Sequence, residues 1–116
     1  MMKMRFGMMY LPGDVVLIPF PFSNLQTAKK RPVLVFQSAD FFGDMVCLAV
    51  TSRSNHQQSV PVYDDSFSDG VLPKPSWIRY GKIYTLNESV VIGQFGTLKK
   101  GVFDKICASF CQHFSC

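Results

Sequence analysis

Lys29-Lys30-Arg31-Pro32-Val33-Leu34-Val35 carries three cations into an apolar run, and a second apolar run, Met45 to Val50, stops at Thr51. Pro32 has no N–H and biases the residue before it toward extended backbone, so Arg31 is expected at a strand entrance with its guanidinium outside the core. A permanently charged planar fork of donors fits a phosphate. A threonine hydroxyl at the end of a neighbouring strand would complete an anion site, and phosphodiester chemistry without a metal can be built on those two groups. Taken alone, the pair also fits a solvated arginine and an ordinary β-branched strand residue.

Other combinations offer less. His56 and His113 are the two histidines. His113 falls near the end of a helix, where a cation suits the dipole. His56, in a polar loop beyond Thr51, is a proton-transfer candidate that equally fits a surface side chain. The sequence holds no histidine pair for a two-imidazole ribonuclease, no supported Ser-His-Asp set and no metal-ligand cluster, so neither a metal nor another cofactor is expected. Asp64-Asp65 and Asp69-Gly70 lack the spacing of a calcium loop and fit solvated turns. Gly93-Gln94-Phe95-Gly96 follows a strand rather than a helix, which fits turn or bulge glycines better than an RNA-clamping GxxG. Cys47, Cys107, Cys111 and Cys116 contain no CxxC and read as small buried thiols. Lys29, Lys30, Arg53, Arg79 and Lys82 lie in or beside loops flanking Arg31 and Thr51, interleaved with Trp77, Tyr80 and Tyr84. That arrangement fits a cationic, aromatic track for a single nucleic-acid strand, or a basic surface over an aromatic core.

The elements that must position these residues are mostly short strands. Val15-Val16-Leu17-Ile18 suits a strand buried on both faces and ended by Pro19 and Pro21. Phe20 to Lys30 is expected as a loop, and loops of that length are commonly functional. Arg31–Gln37 and Met45–Thr51 are the second and third strands, with a turn or short helix at Ala39–Asp44. Val60–Tyr63 is an edge strand on account of Pro61, and Asp64–Pro75 reads as turns throughout. Trp77–Tyr80 and Lys82–Leu86 are strand segments interrupted or bulged at Gly81, and Val90–Phe95 is the last strand. From Thr97, a possible N-cap, Val102, Ile106 and Phe110 recur at four-residue spacing as an amphipathic helix. Residues 1–12 are expected as a loose N-terminal extension and 13–116 as one domain. The fold class is mainly β: a small, strongly bent barrel partly covered by the C-terminal helix.

Composition narrows the partners. In 116 residues the chain holds one core. A net charge of +4 admits polyanions such as nucleic acid or an acidic protein segment. No apolar run approaches the roughly 18 residues of a membrane span, and the N-terminus lacks the apolar stretch of a signal peptide, so no membrane partner and a cytoplasmic location are expected.

The chain resembles the PemK/MazF family of toxin endoribonucleases. The resemblance rests on Gly13-Asp14-Val15-Val16-Leu17-Ile18-Pro19-Phe20, Lys30-Arg31-Pro32-Val33-Leu34-Val35, Ala49-Val50-Thr51-Ser52 and Leu72-Pro73-Lys74-Pro75-Ser76-Trp77-Ile78-Arg79 running on to Leu86. It implies an SH3-like barrel, a homodimer, and the toxin of a type II toxin–antitoxin system. Such a toxin cleaves single-stranded RNA without metal, to cyclic phosphate and 5′-OH ends, and is neutralised by a cognate acidic antitoxin. It also implies that Arg31 and Thr51 are catalytic; Lys29, Lys30, Ser52, Arg53, Arg79 and Lys82, in or beside the loops flanking them, are the expected RNA-binding residues. The sequence departs from the pattern at Gly81, where some members carry an acid. Two alternatives stay open on the same barrel: a non-enzymatic protein resembling the gyrase poison CcdB, and an inactive member that binds only RNA or antitoxin.

Overall fold

The alternating and continuous apolar runs all enter one sheet. The computed structural model describes residues 10–20, 29–54 and 57–116; residues 1–9 of the expected extension, the body of the expected 20–30 loop and His56 lie outside the described residues. The strands are β1 (Asp14–Phe20), β2 (Lys29–Gln37), β3 (Asp44–Thr51), β4 (Ser59–Val62), β5 (Phe67–Gly70), β6 (Ser76–Asn87) and β7 (Gly93–Leu98), followed by helix α1 (Lys100–Phe114). They lie in the order β4-β6-β3-β2-β1-β7-β5, with every neighbouring pair antiparallel.

Strand alternation splits the core in two. Val15, Leu34, Leu48 and Ile78 face one side, and there they share a cluster with Val60 and Val62 of β4 and Phe67 of β5. Since β4 and β5 are the opposite edges of the sheet, a single cluster that includes both requires the sheet to curl into a half-barrel. Val16, Ile18, Val33, Val35, Met45 and Cys47 form the second cluster on the other face, covered by Tyr10, Leu86, Val90 and Val91. Burial there pushes the Cys47 thiol up to about 12.

Helix α1 closes the concave side. Its four-residue apolar stripe places Ile106 at 0% exposure, with Val102, Phe103 and Phe110 packed beside it. A bulge helps: the β2–β3 register passes from Val35↔Cys47 to Gln37↔Val46, so Phe36 is the extra residue. Its ring meets Phe110 at 4.5 Å and Phe103 at 5.9 Å.

β1 runs through Pro19 to Phe20, because its pairing with β7 ends at Leu17↔Gly93 and Pro19 has only β2 beside it, where it pairs Lys30. Asp64–Ser66 is a 3₁₀ turn and β5 follows it, so this stretch is not all turn. β5 crosses β7 so closely that a Cβ on Gly70 would overlap the Phe95 carbonyl oxygen, and one on Gly96 would overlap that of Asp69. A strand built on such a crossing needs glycine in place of the apolar residues that advertise strands. The last strand starts at Gly93 because Glu88–Val90 is a 3₁₀ turn, whose Asn87 side chain accepts a hydrogen bond from the Ser89 N–H.

Thr97 is not an N-cap. It lies in β7, and its hydroxyl donates to Asp14 Oδ1 at 2.8 Å; Lys99 occupies the cap without a side-chain bond. The thiols also divide. Cys47 is buried and Cys107 and Cys111 are half-buried, but Cys116 is exposed, because left-handed Ser115 (φ 59°) turns the chain back on the helix end. Cys116 donates its S–H to Cys111 Sγ at 2.6 Å. β4 is an edge as Pro61 requires, and β6 is one strand with a bulge at Tyr80-Gly81-Lys82, where the register jumps from Leu48↔Ile83 to Ala49↔Arg79.

Candidate active site

Pro32 opens the site. β2 begins at Lys29 and β3 ends at Thr51, yet their ladder stops at Val33↔Ala49. The residue next in line on β2 has no N–H to continue the ladder. Beyond that last rung, Arg31 on β2 and Thr51 on β3 flank an opening, and a cavity of about 450 Å³ lies at this end of the half-barrel.

The floor of the cavity is apolar, made by Leu17, Pro32, Val50, Leu72 and Phe95. Phe95 reaches it through a second bulge. The β1–β7 register passes from Val15↔Gly96 to Val16↔Gln94, leaving Phe95 as the extra residue, and bulges characteristically re-aim a side chain beside a functional site. The rim is cationic: Lys29, Lys30, Arg31, Arg53 and Lys74, with the hydroxyls of Thr51 and Ser52; the buried Ser76 also lines the cavity. Among the described residues lining it, none is acidic.

Two local hydrogen bonds set the polar rim. The Arg53 N–H donates to Thr51 Oγ1 at 3.1 Å, which fixes the threonine side chain and leaves its hydroxyl hydrogen to donate elsewhere. The Ser76 hydroxyl donates to the Lys74 carbonyl at 2.9 Å, holding the Pro73–Pro75 segment against the mouth.

Arg31, Thr51, Lys29, Lys30, Ser52 and Arg53 therefore converge, as the sequence anticipates, and the structure adds Lys74, Ser76, Leu72 and Phe95. The signal for Lys74 was its place between two prolines; Phe95 carried none, because its aim depends on a bulge in register. Arg79 and Lys82 do not line the cavity. Arg79 is paired with Ala49 and Ser59 inside the sheet, and Lys82 lies in the bulge with Nζ 6.0 Å from the Tyr84 ring centre. At Gly81 a Cβ would come within 3.3 Å of Gln58 Oε1 and 3.4 Å of His113 Nε2, so the acid absent from the sequence would have stood against the helix end. Among the described residues no group of three or more His, Cys, Asp or Glu side chains is arranged to hold a metal.

Such a site, a basic mouth over an apolar floor with a guanidinium and a hydroxyl at its lip, is equipped to hold a phosphodiester and one adjoining apolar ring. Comparison with known proteins agrees in fold. The model of the PemK-like, MazF-like toxin of type II toxin–antitoxin systems matches residues 11–114. Among solved structures, the chain is similar to a MazE–MazF complex from Deinococcus radiodurans, with a TM-score of 0.72 at 18% identity over 91% of this chain and 96% of that one. It is similar to Mycobacterium tuberculosis toxin MazF-mt6, with a TM-score of 0.67 at 18% identity over 88% and 96%. An endoribonuclease from Mycobacterial species in complex with its cognate antitoxin gives a TM-score of 0.69 at 16% identity over 91% and 93%. No curated protein sequence matches.

Proposed function

Since the chain belongs to the PemK-like, MazF-like toxin family of type II toxin–antitoxin systems, we propose that it is an endoribonuclease cutting single-stranded RNA at the lip formed by Arg31 and Thr51. The observation that carries this reading is a cationic mouth, with no acid among its described lining residues, at which two separate strands place Arg31 and Thr51.

The ribose 2′-OH attacks its own 3′-phosphate, the P–O5′ bond breaks, and the products are a cyclic phosphate and a free 5′-OH. Negative charge builds on the phosphorane, so donors already fixed where that charge appears lower the barrier. Arg31 supplies two parallel N–H donors and thereby does what a Lewis-acidic metal does elsewhere. Thr51, oriented by the Arg53 N–H, donates to a phosphate oxygen and keeps the 2′-oxygen in line with the leaving oxygen. The described rim offers neither carboxylate nor imidazole, and we assign the proton lost by the 2′-OH and the proton gained by O5′ to water. Lys29, Lys30, Arg53 and Lys74 hold neighbouring phosphates.

A cognate antitoxin segment rich in Asp and Glu, a homodimeric toxin and action in the cytoplasm complete the reading; among the described residues no helix is long and apolar enough to cross a membrane. Incubation with a long unstructured RNA in excess chelator tests it. Site-selective cuts bearing cyclic-phosphate ends, lost in Arg31→Ala, are expected. Intact RNA with folded protein overturns it.

A further inference from the structure

The chain's one tryptophan stands next to Thr51 without belonging to the cavity. Trp77 on β6 is directly opposite Thr51 on β3, and opposite Pro61 on β4. Residues paired across an antiparallel ladder share a face, with Cβ atoms about 4.5–5.5 Å apart. The neighbours of Trp77 in its own strand, Ser76 and Ile78, are buried toward the barrel interior at 5% and 0% exposure. Trp77 therefore points to the opposite, outer face, where it is half-buried. Among the described residues, those packed on the two core clusters do not include it.

Thr51 is thus a boundary. It lines the cavity on one side and shares a row with Trp77 on the other. The next row along the outer face is Ala49 and Arg79, a small residue beside a cation. A phosphodiester held at Arg31 and Thr51 has a nucleoside on each side. The cavity, with Leu72 and Phe95 in its floor, takes one. The other must cross the lip, and the first surface it meets is an indole.

We propose that Trp77 is a base-stacking platform for the nucleoside on the far side of the scissile phosphate from the cavity, and that Arg79 holds the phosphate following it. This rests on the ribonuclease reading for the position of the phosphate. Stacking tolerates any base, so Trp77 contributes affinity and register, while sequence choice is left to the cavity. It also gives Arg79 a contact with RNA that the cavity does not.

Because Trp77 is the sole tryptophan, its fluorescence reports the contact directly. A non-cleavable single-stranded oligodeoxynucleotide of mixed sequence is expected to quench wild-type emission saturably. With a cleavable RNA, Trp77→Ala is expected to raise KM about 5- to 100-fold with kcat little changed, and Trp77→Phe to restore most of the loss. Emission that is blue-shifted and unquenched while RNA is still cleaved shows the indole covered by protein, such as a second copy, and overturns the platform but not the nuclease. An unaltered KM in folded Trp77→Ala overturns it as well. Quenching by the oligonucleotide in a protein that cuts no RNA supports the platform and sinks the nuclease reading instead. If Trp77→Ala does not fold, the wild-type titration and Trp77→Phe decide.

Discussion

Arg31 and Thr51 stand on neighbouring antiparallel strands, each two residues past Val33↔Ala49, the last rung that joins β2 to β3. Pro32 lies between that rung and Arg31, so the residue that ends the ladder also sets the width of the lip. The guanidinium is exposed and lies outside both cores.

Arg31→Lys should therefore leave the thermal transition nearly unchanged while lowering single-turnover RNA cleavage by about 100-fold, because an ammonium keeps the charge and loses the paired donors. Cleavage rates and melting curves measured on the same preparation check it. Activity within a few fold of wild type would show that charge alone suffices.

Thr51→Val should cost about 100-fold in rate by removing the donor, and Thr51→Ser should recover most of it. The methyl group matters only if the serine, which keeps the acceptor for the Arg53 N–H, remains slow. Comparing the rates at saturating RNA separates the two.

How much of this is legible in the sequence varies with the physics. Arg31, Thr51 and the helix stripe were readable, because proline chemistry and helical periodicity act over a few residues. β5 and the aim of Phe95 were not. The first is a strand made possible by Gly70 and Gly96 crossing, the second a one-residue slip of register, and both exist only once distant strands meet. Thr97 misled for a related reason: its type and position suit a cap, but a buried carboxylate 83 residues away claims its hydroxyl.

That carboxylate, Asp14, is 1% exposed and accepts from the Leu11 N–H at 2.8 Å as well as from Thr97, whose oxygen in turn accepts from Gln94 Nε2 at 3.3 Å. Thr97→Val should destabilise the fold by about 1–3 kcal/mol, since a buried acceptor loses a partner at nearly constant volume. Denaturant titration gives the value. A change under a few tenths would mean that the network has no net stabilising effect.

Cys47 predicts an alkaline signature. Its thiol is raised to about 12 by burial, from 9.0, so between those values the unfolded chain ionises and the folded one does not. The unfolded state then binds fewer protons, and stability falls as pH rises through that window, having been fully present below 9. Cys47→Ala should flatten this decline in urea titrations, relative to wild type. Native Cys47 should resist iodoacetamide at pH 8 while exposed Cys116 reacts, which peptide mass spectrometry reads directly.

The place of β1 in the sheet has a kinetic meaning. It pairs with β2 on one side and with β7 on the other, and the second pairing joins Asp14 to Thr97 across most of the chain. Contacts so distant in sequence form late, after the hairpins linking β1, β2 and β3 have closed their short loops. Arg31 and Thr51 thus become neighbours early, but the wall carrying Phe95 arrives with the least local event of folding. During synthesis, a chain assembled in that order holds Arg31 beside Thr51 before the wall carrying Phe95 is in place, so the topology itself makes the completed cavity the last thing to form.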